Sequence, residues 1–421
     1  MNKLIPLLLL IAAVLLPADA AAATYAVCAK YAVSFDDARS EVGDDHIVSN
    51  GDLPARGAWM EVIHGTSTVV ASGYANESGG DIGCLSGVEG TTGYTYTVKL
   101  YSTAVIDENT VDIRNTDTAE LNYSASWTWG PGAGSKVTFT TDVKDWWNIA
   151  AAAGWAASRL DGGMTAKTWR WYTQECPTGS QSCIAYDSGA SLWEGYVCLS
   201  THGACSTDPA LRKYLLAHQM GHLSSMHANG GLIAARDLTL AADGSCDGGA
   251  GHKINSKEYQ SSAAYEGIAH AWAAMAFNTY GSGQDCGFHY YVPPDDPDWN
   301  NNNAPEDEWF DCDGELCSSS DCTSSIDGTD YLSDFCGGTL TGRGTEVDWL
   351  RFWWDLVTDG GTTVSDDDVF DIWLGASPDD WSPDGTGLSS TQPATRLRVS
   401  AYDLYLGDVW DDWDNTNGVH R

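Results

Sequence analysis

The order of apolar and polar positions divides the chain into a strand-rich first part and a mixed second part. From Thr24 to about Thr141, short alternating runs such as AWMEVI at 58–63 are separated by clusters of Gly, Asn and Asp. Alternation with a period of two is typical of half-buried strands, and the clusters predict turns between them. We therefore expect a module built from strands alone over residues 24–141.

The pattern changes after this module. Residues 145–160, DWWNIAAAAGWAASRL, have a composition that favours a helix, and residues 168–176 and 195–200 look like strands. Two stretches at 350–358 and 366–374 predict further helix toward the end of the chain. The whole chain is therefore expected to be α+β, with strands and helices mixed over residues 142–421.

The most informative stretch is KYLLAHQMGHLSSMH, at Lys213–His227. Asp208 followed by Pro209 predicts the start of a helix, since Asp caps the first N–H groups and Pro is tolerated at the first helical position. Leucine and methionine then recur at helical spacing and predict a buried face: Leu211, Leu215, Leu216, Met220 and Leu223. His218 and His222 are four residues apart, so both imidazoles project from one side of this helix and can bind one zinc ion.

HQMGH at 218–222 is similar to the HExxH helix of the zincins, a family of zinc metallopeptidases. The resemblance implies a zincin-like metallopeptidase domain over residues 142–421, with a protein or peptide as substrate or ligand. Gln219 departs from the motif, because zincins have at this position the glutamate that acts as general base. An amide is nearly isosteric with a carboxylate, but it cannot accept a proton from a metal-bound water. Because the glutamate of the motif is not a metal ligand, we expect the metal site to be intact. General acid–base catalysis contributes about 10²–10⁴ in rate, so we expect severely reduced hydrolysis.

A second helix is predicted at Ser256–Phe277, where alanine is frequent. Within it, EGIAH at 266–270 looks like the segment that supplies the third zinc ligand, a glutamate, in the gluzincin branch of the family. The resemblance implies that Glu266 binds the metal together with the two histidines. It also implies that His270 is a hydrogen-bonding partner beside the ligands.

Another residue competes with Glu266 as third ligand. His227 lies five residues after His222, whereas the metzincin branch has its third histidine six residues after the second. Ser225 and Ala228 stand where that branch has a glycine and the third histidine, so Glu266 is preferred. The remaining alternative is a helix with two histidines and no metal.

The N-terminal segment and the cysteines predict an exported protein. The first 23 residues predict a secretory signal, with Lys3, an apolar run at 4–16 and small residues at 18–23 as cleavage options. The 12 cysteines fit an oxidising compartment. The sequence contains no CxxC pair, the pattern that would indicate a metal site built from thiolates. The expected local pairings are Cys28–Cys84, Cys176–Cys183, Cys198–Cys205 and Cys246–Cys286, with Cys312, Cys317, Cys322 and Cys336 paired among themselves. We therefore expect a secreted protein, extracellular or periplasmic, that is not inserted in a membrane.

Charge narrows the choice of partners. The net charge of −37 repels nucleic acid and anionic membranes, which argues against both as partners. The acidic loop predicted at 293–336, which the cysteines would tie together, contains Asp311, Asp313 and Glu315 around Gly314. Oxygen-rich loops of this kind can bind Ca²⁺, but no complete EF-hand pattern is present, so a solvated acidic loop is the simpler interpretation.

The strand-rich run at 55–87 resembles small β-sandwich modules of the prealbumin or collagen-adhesin B type, which accompany secreted bacterial enzymes. The expected architecture is thus an N-terminal β-sandwich module followed by a zincin-like metallopeptidase domain. The expected function is that of a weakened peptidase, or of a pseudopeptidase that binds without cutting. One alternative is a non-catalytic binding or adhesion protein without metal, and another is an active hydrolase with an unusual base.

Overall fold

The computed structural model describes residues 23–37, 50–116, 119–129, 136–160, 168–174, 182–186, 192–197, 209–228, 258–278, 287–289, 309–311, 343–344, 346–358, 365, 368–369 and 373. Over these residues the fold is mixed α+β, as the sequence predicts, with strands outnumbering helices. The predicted signal lies outside them except for Ala23, which begins the first strand.

The strands, in chain order, are β1 (Ala23–Val33), β2 (Gly51–Pro54), β3 (Ala58–His64), β4 (Thr68–Tyr74), β5 (Cys84–Gly90), β6 (Thr95–Ile106), β7 (Asn109–Thr116), β8 (Ala119–Glu120), β9 (Asn122–Thr128), β10 (Lys136–Thr140), β11 (Thr168–Tyr172), β12 (Ser182–Tyr186), β13 (Leu192–Val197), β14 (Glu258–Tyr259), β15 (Gly287–His289), β16 (Trp309–Asp311) and β17 (Arg343–Gly344). The helices are α1 (Asp145–Arg159), α2 (Lys213–Ala228), α3 (Gln260–Phe277) and α4 (Glu346–Thr358), with a short 3-10 turn at Pro209–Leu211 before α2.

These bounds confirm the predicted helix at 145–160 to within one residue and correct others. The helix of His218 and His222, predicted to begin at Pro209, begins at Lys213, because Pro209–Leu211 form a separate 3-10 turn. Helix α3 begins at Gln260, four residues later than predicted, because the strand β14 occupies Glu258–Tyr259 and pairs with β17. Strand β13 begins three residues before the predicted Gly195, and the last part of that prediction, 198–200, lies outside the described residues.

Two sheets share one buried core in the strand-rich part. The smaller sheet has the order β10-β1-β2, with β5 also paired to β1, and the larger has the order β12-β13-β11-β7-β6-β3-β4, with β8 and β9 attached. Val27 of the smaller sheet and Met60 and Val98 of the larger one are fully buried in the same cluster. Cys28 in β1 and Cys84 in β5 form a disulfide, which confirms this predicted pairing. Each of the other predicted pairings includes a cysteine outside the described residues.

The larger sheet combines strands from both sides of position 141. Strand β11 pairs in parallel with β7, with Trp169 beside Val111 and Trp171 beside Ile113, and all four side chains are buried. Strand β11 also pairs with β13, which extends the sheet further. The predicted boundary between the two parts of the chain is therefore not a break in the sheet.

Helix α1 joins the sheets to the helical part, because it packs on β1, β6 and β7 and also contacts α2. Its Asn148 side chain bonds both backbone groups of Ser34: Oδ1 accepts from the N–H at 2.9 Å, and Nδ2 donates to the carbonyl at 2.9 Å. The buried amide of Asn148 thus has a partner for both its oxygen and its nitrogen. The segment that follows β1 is thus fixed against α1.

The same segment positions the start of α2. The Asp37 carboxylate accepts the backbone N–H of Tyr214 at 3.0 Å, so this residue caps the first turn of α2 from more than 170 positions away in the chain. Lys213 beside it is buried, and burial lowers its pKa to about 8, a shift that the charge of Asp37 opposes. Asp208, the predicted cap, lies outside the described residues. Among the described helices, none combines the length and apolar composition that crossing a membrane requires.

Candidate metal centre

Three helices bring five ionisable side chains together in the interior, with α3 packed against both α2 and α4. His218 and His222 come from α2, Glu266 and His270 from α3, and Glu346 from the first position of α4. Each of the five is buried, with 6 % or less of its surface exposed. The cluster therefore contains the three predicted ligands and His270, and it adds a carboxylate that sequence reasoning missed.

The two histidines of α2 point at one carboxylate of α3. Nε2 of His222 lies 3.0 Å from Oε2 of Glu266, and Nε2 of His218 lies 3.4 Å from the same oxygen. Convergence of two imidazoles from one helix on a single oxygen follows from their four-residue spacing and from the position of Glu266 on the facing helix.

A second set of three overlaps with the first. The ligand atoms of His218, Glu266 and His270 all lie within 4.8 Å of one another, so this group could hold a metal ion. His222 is not part of that group, although its Nε2 contacts Glu266 directly. His270, which the sequence predicts only as a hydrogen-bonding partner, thus lies near enough to the other donors to be a candidate ligand.

His270 is held by Glu346, whose Oε2 lies 2.8 Å from its Nε2. The two residues are 76 positions apart in the chain. The sequence around Glu346, EVDWLRFWW, gives only a general signal, a carboxylate at the start of a strongly apolar helix. Nothing in the local pattern of α4 links this carboxylate to the histidines, which is why sequence reasoning missed it.

Aromatic rings hold the imidazoles in place. His218 stacks on His270 with 4.5 Å between ring centroids, and His222 stacks on Tyr265 at the same centroid distance. Burial and the neighbouring histidines lower the pKa of His218 well below its usual range, an effect that Glu266 opposes. Burial also raises the pKa of Tyr265 well above its usual range, so the phenol stays protonated. His218 is therefore neutral at pH 7, the form in which imidazole binds a metal.

Two glycines allow the close approach of the three helices. A Cβ at Gly221, between the two histidines of α2, would lie 2.8 Å from Cα of Ala269 in α3. A Cβ at Gly267 would overlap Cβ of Trp349 and would lie 2.9 Å from the carbonyl oxygen of Glu346 in α4. Because unbonded carbon atoms do not approach so closely, a side chain at either position would move the helices apart.

The substitution Gly267→Ala is expected to lower the free energy of unfolding by about 1–3 kcal/mol, since overpacking against backbone atoms cannot be relieved by a change of rotamer. Thermal unfolding followed by circular dichroism measures this loss. Gly80→Ala is the matched control, because a Cβ at Gly80 meets nothing within 4 Å and its melting temperature should stay unchanged. Equal stability of the two variants would show that α3 and α4 do not pack as described.

The remaining predicted site residues are not among the five buried side chains of the cluster. Gln219 lies on α2 directly after His218 and is half-buried. The backbone of His227, the alternative third ligand, belongs to the last turn of α2, and its side chain lies outside the described part. Asp313 and Glu315 of the suggested calcium loop also lie outside the described residues, and Asp311 ends the short strand β16.

Comparisons with protein-family models, with curated proteins and with solved structures found no match for this chain. The chemistry of the cluster itself indicates the kind of ligand that fits it. Its donors are imidazole nitrogens and carboxylate oxygens, a set that suits Zn²⁺. A buried carboxylate is costly unless a cation compensates its charge, and one divalent cation would compensate both Glu266 and Glu346. The residues therefore fit a single divalent metal ion.

Proposed function

We propose that this chain is a secreted, zincin-type zinc protein in which Gln219 severely reduces peptide hydrolysis. The observation that carries the proposal is the convergence of His218 and His222 on one oxygen of Glu266. Two histidines on one helix and a glutamate on the following helix correspond to the ligand arrangement that the gluzincin resemblance implies.

When bound, zinc would supply Lewis-acid activation of a peptide carbonyl and of a water molecule. His218, His222 and Glu266 would hold it, and the stacked rings of Tyr265 and His270 would keep the imidazoles oriented. The Gln219 amide, half-buried beside His218, can donate and accept hydrogen bonds but cannot take up a proton at accessible pH. Gln219 therefore cannot supply the proton transfer that a glutamate supplies at this position in zincins.

Other features support an exported protein that acts on or binds proteins or peptides. The Cys28–Cys84 disulfide fits an oxidising compartment. The net charge of −37 favours solubility and disfavours nucleic acid as a partner.

The proposal is tested by the metal content of the mature, oxidised protein. We expect about one zinc ion per chain by elemental analysis, and none in the double variant His218→Ala/His222→Ala. His64→Ala is the matched control, because it removes a histidine from β3, outside the cluster. A folded wild-type protein that neither contains zinc nor takes it up would contradict the proposal and favour a binding or adhesion protein without metal.

A further inference from the structure

We infer that His270 is a fourth protein ligand of the proposed metal site and that Glu346 orients it, so that the site is closed to water. The inference rests on the zinc site of the proposed function, and it makes the absence of a metal-bound water, rather than Gln219, the cause of weak hydrolysis. Catalytic zinc sites have three protein ligands and an open position for water, whereas structural zinc sites have four protein ligands. The number of protein donors around the metal therefore decides which kind of site the cluster forms.

The hydrogen bond to Glu346 determines which nitrogen of His270 is available to a metal. Oε2 of Glu346 lies 2.8 Å from Nε2 of His270, and both side chains are completely buried. In the tautomer whose Nε2–H donates to the Glu346 carboxylate, the lone pair of the imidazole is on Nδ1. Histidines that bind a metal commonly donate their other N–H to a carboxylate in this way. His270 therefore has the hydrogen bonding of a metal ligand.

The distances within the cluster place the His270 ring near the other candidate ligands. The donor atoms of His218, Glu266 and His270 lie within 4.8 Å of one another. Donors that bind one zinc ion at about 2.1 Å are about 3.4 Å apart in a tetrahedral arrangement. Small shifts of side chains would thus bring these atoms onto one ion together with His222, whose Nε2 lies 3.0 Å from Glu266 Oε2.

Charge and burial favour one closed site over two separate ones. One divalent cation carries the charge that balances the two described carboxylates, Glu266 and Glu346, so this pair does not call for a second cation. His270 is completely buried, and no donor residue has more than 6 % of its surface exposed. Four protein donors around one ion, without bound water, agree with both the charge of the two carboxylates and the burial of the donor residues.

A closed site also accounts for the residue at position 219. The glutamate of the zincin motif has a function only if a metal-bound water is present for it to deprotonate. With His270 in the fourth coordination position there is no such water. A glutamine at position 219 then causes no further loss of activity. The cluster would then stabilise the packing of α2, α3 and α4 rather than catalyse a reaction.

The test is X-ray absorption at the zinc edge on the full-length, zinc-loaded protein, with His270→Gln as the variant. A glutamine amide can still donate to Glu346 but has no ring nitrogen for the metal. We expect three imidazoles per zinc in the wild type and two in the variant, with zinc affinity lowered by about 10²-fold or more. Glu346→Gln should keep three imidazoles and weaken affinity by about 10–100-fold.

The wild-type spectrum alone can overturn the inference, even if a variant does not fold. Two imidazoles and a water-derived oxygen in the wild type would show that His270 is not a ligand, while the proposed zinc site would stand. A wild-type protein that does not bind zinc would contradict both the inference and the proposed function. His64→Gln, outside the cluster, should match the wild type in both affinity and imidazole count.

Discussion

Removal of the proposed zinc ion with a chelator is expected to lower the melting temperature by about 10 °C, because the ion would bind the folded cluster and not the unfolded chain. Binding at a thousandfold excess over the dissociation constant contributes about 4 kcal/mol, and each kcal/mol corresponds to about 2–4 °C in a domain of moderate size. Without a bound cation, Glu266 and Glu346 would keep two carboxylates in the interior beside the histidines, which is costly. Calorimetry before and after chelation, and after zinc is added back, measures the shift.

The control for this experiment is the double variant His218→Ala/His222→Ala, which lacks both imidazoles that α2 contributes to the cluster. Its melting temperature should be low already and insensitive to the chelator. A wild-type protein whose melting temperature is the same with and without the chelator would show that the cluster is stable through its own hydrogen bonds.

The double variant Gln219→Glu/His270→Gln is expected to hydrolyse a model peptide at least about 10²-fold faster than the wild type. His270→Gln would free a position for water, and the new glutamate would accept its proton, a contribution of about 10²–10⁴ in rate. Neither single variant should show this gain, since one lacks the open position and the other lacks the base. Initial rates with and without chelator, at matched zinc content, measure the effect.

The single variants distinguish the possible explanations. A hundredfold gain in Gln219→Glu alone would show that water already reaches the metal, which would overturn the closed site but support the zincin-type proposal. Robust, chelator-sensitive hydrolysis by the wild type would show that Gln219 does not prevent catalysis and that another group acts as base.

The parts of the cluster that the sequence predicts are those that depend on helical spacing. His218 and His222 are four residues apart on α2, and Glu266 and His270 are four apart on α3, so each pair lies on one side of its helix. The sequence could also indicate helix α1 from its alanine-rich composition, since that signal is local. In both cases the relevant residues are neighbours in the chain.

The parts that the sequence could not predict depend on contacts between distant segments. Asp37 caps α2, Glu346 reaches His270, and β11 pairs with β7, yet no local pattern indicates any of these contacts. The role of His270 was ambiguous for a related reason. A histidine four residues after a ligand can bind the same metal or support another ligand, and only its distances to the other donors and its hydrogen bond to Glu346 favour the first of these.

The continuity of the larger sheet across position 141 has a consequence for how such a protein can evolve. Exchange of the N-terminal segment by recombination would remove β7 from beside β11 and would also remove the Asp37 cap of the histidine-bearing helix. The segment that replaces it would have to supply both a parallel neighbour for β11 and a carboxylate at the start of α2. The two halves are thus expected to be inherited as one unit, and substitutions in one half should be accompanied by compensating changes in the other.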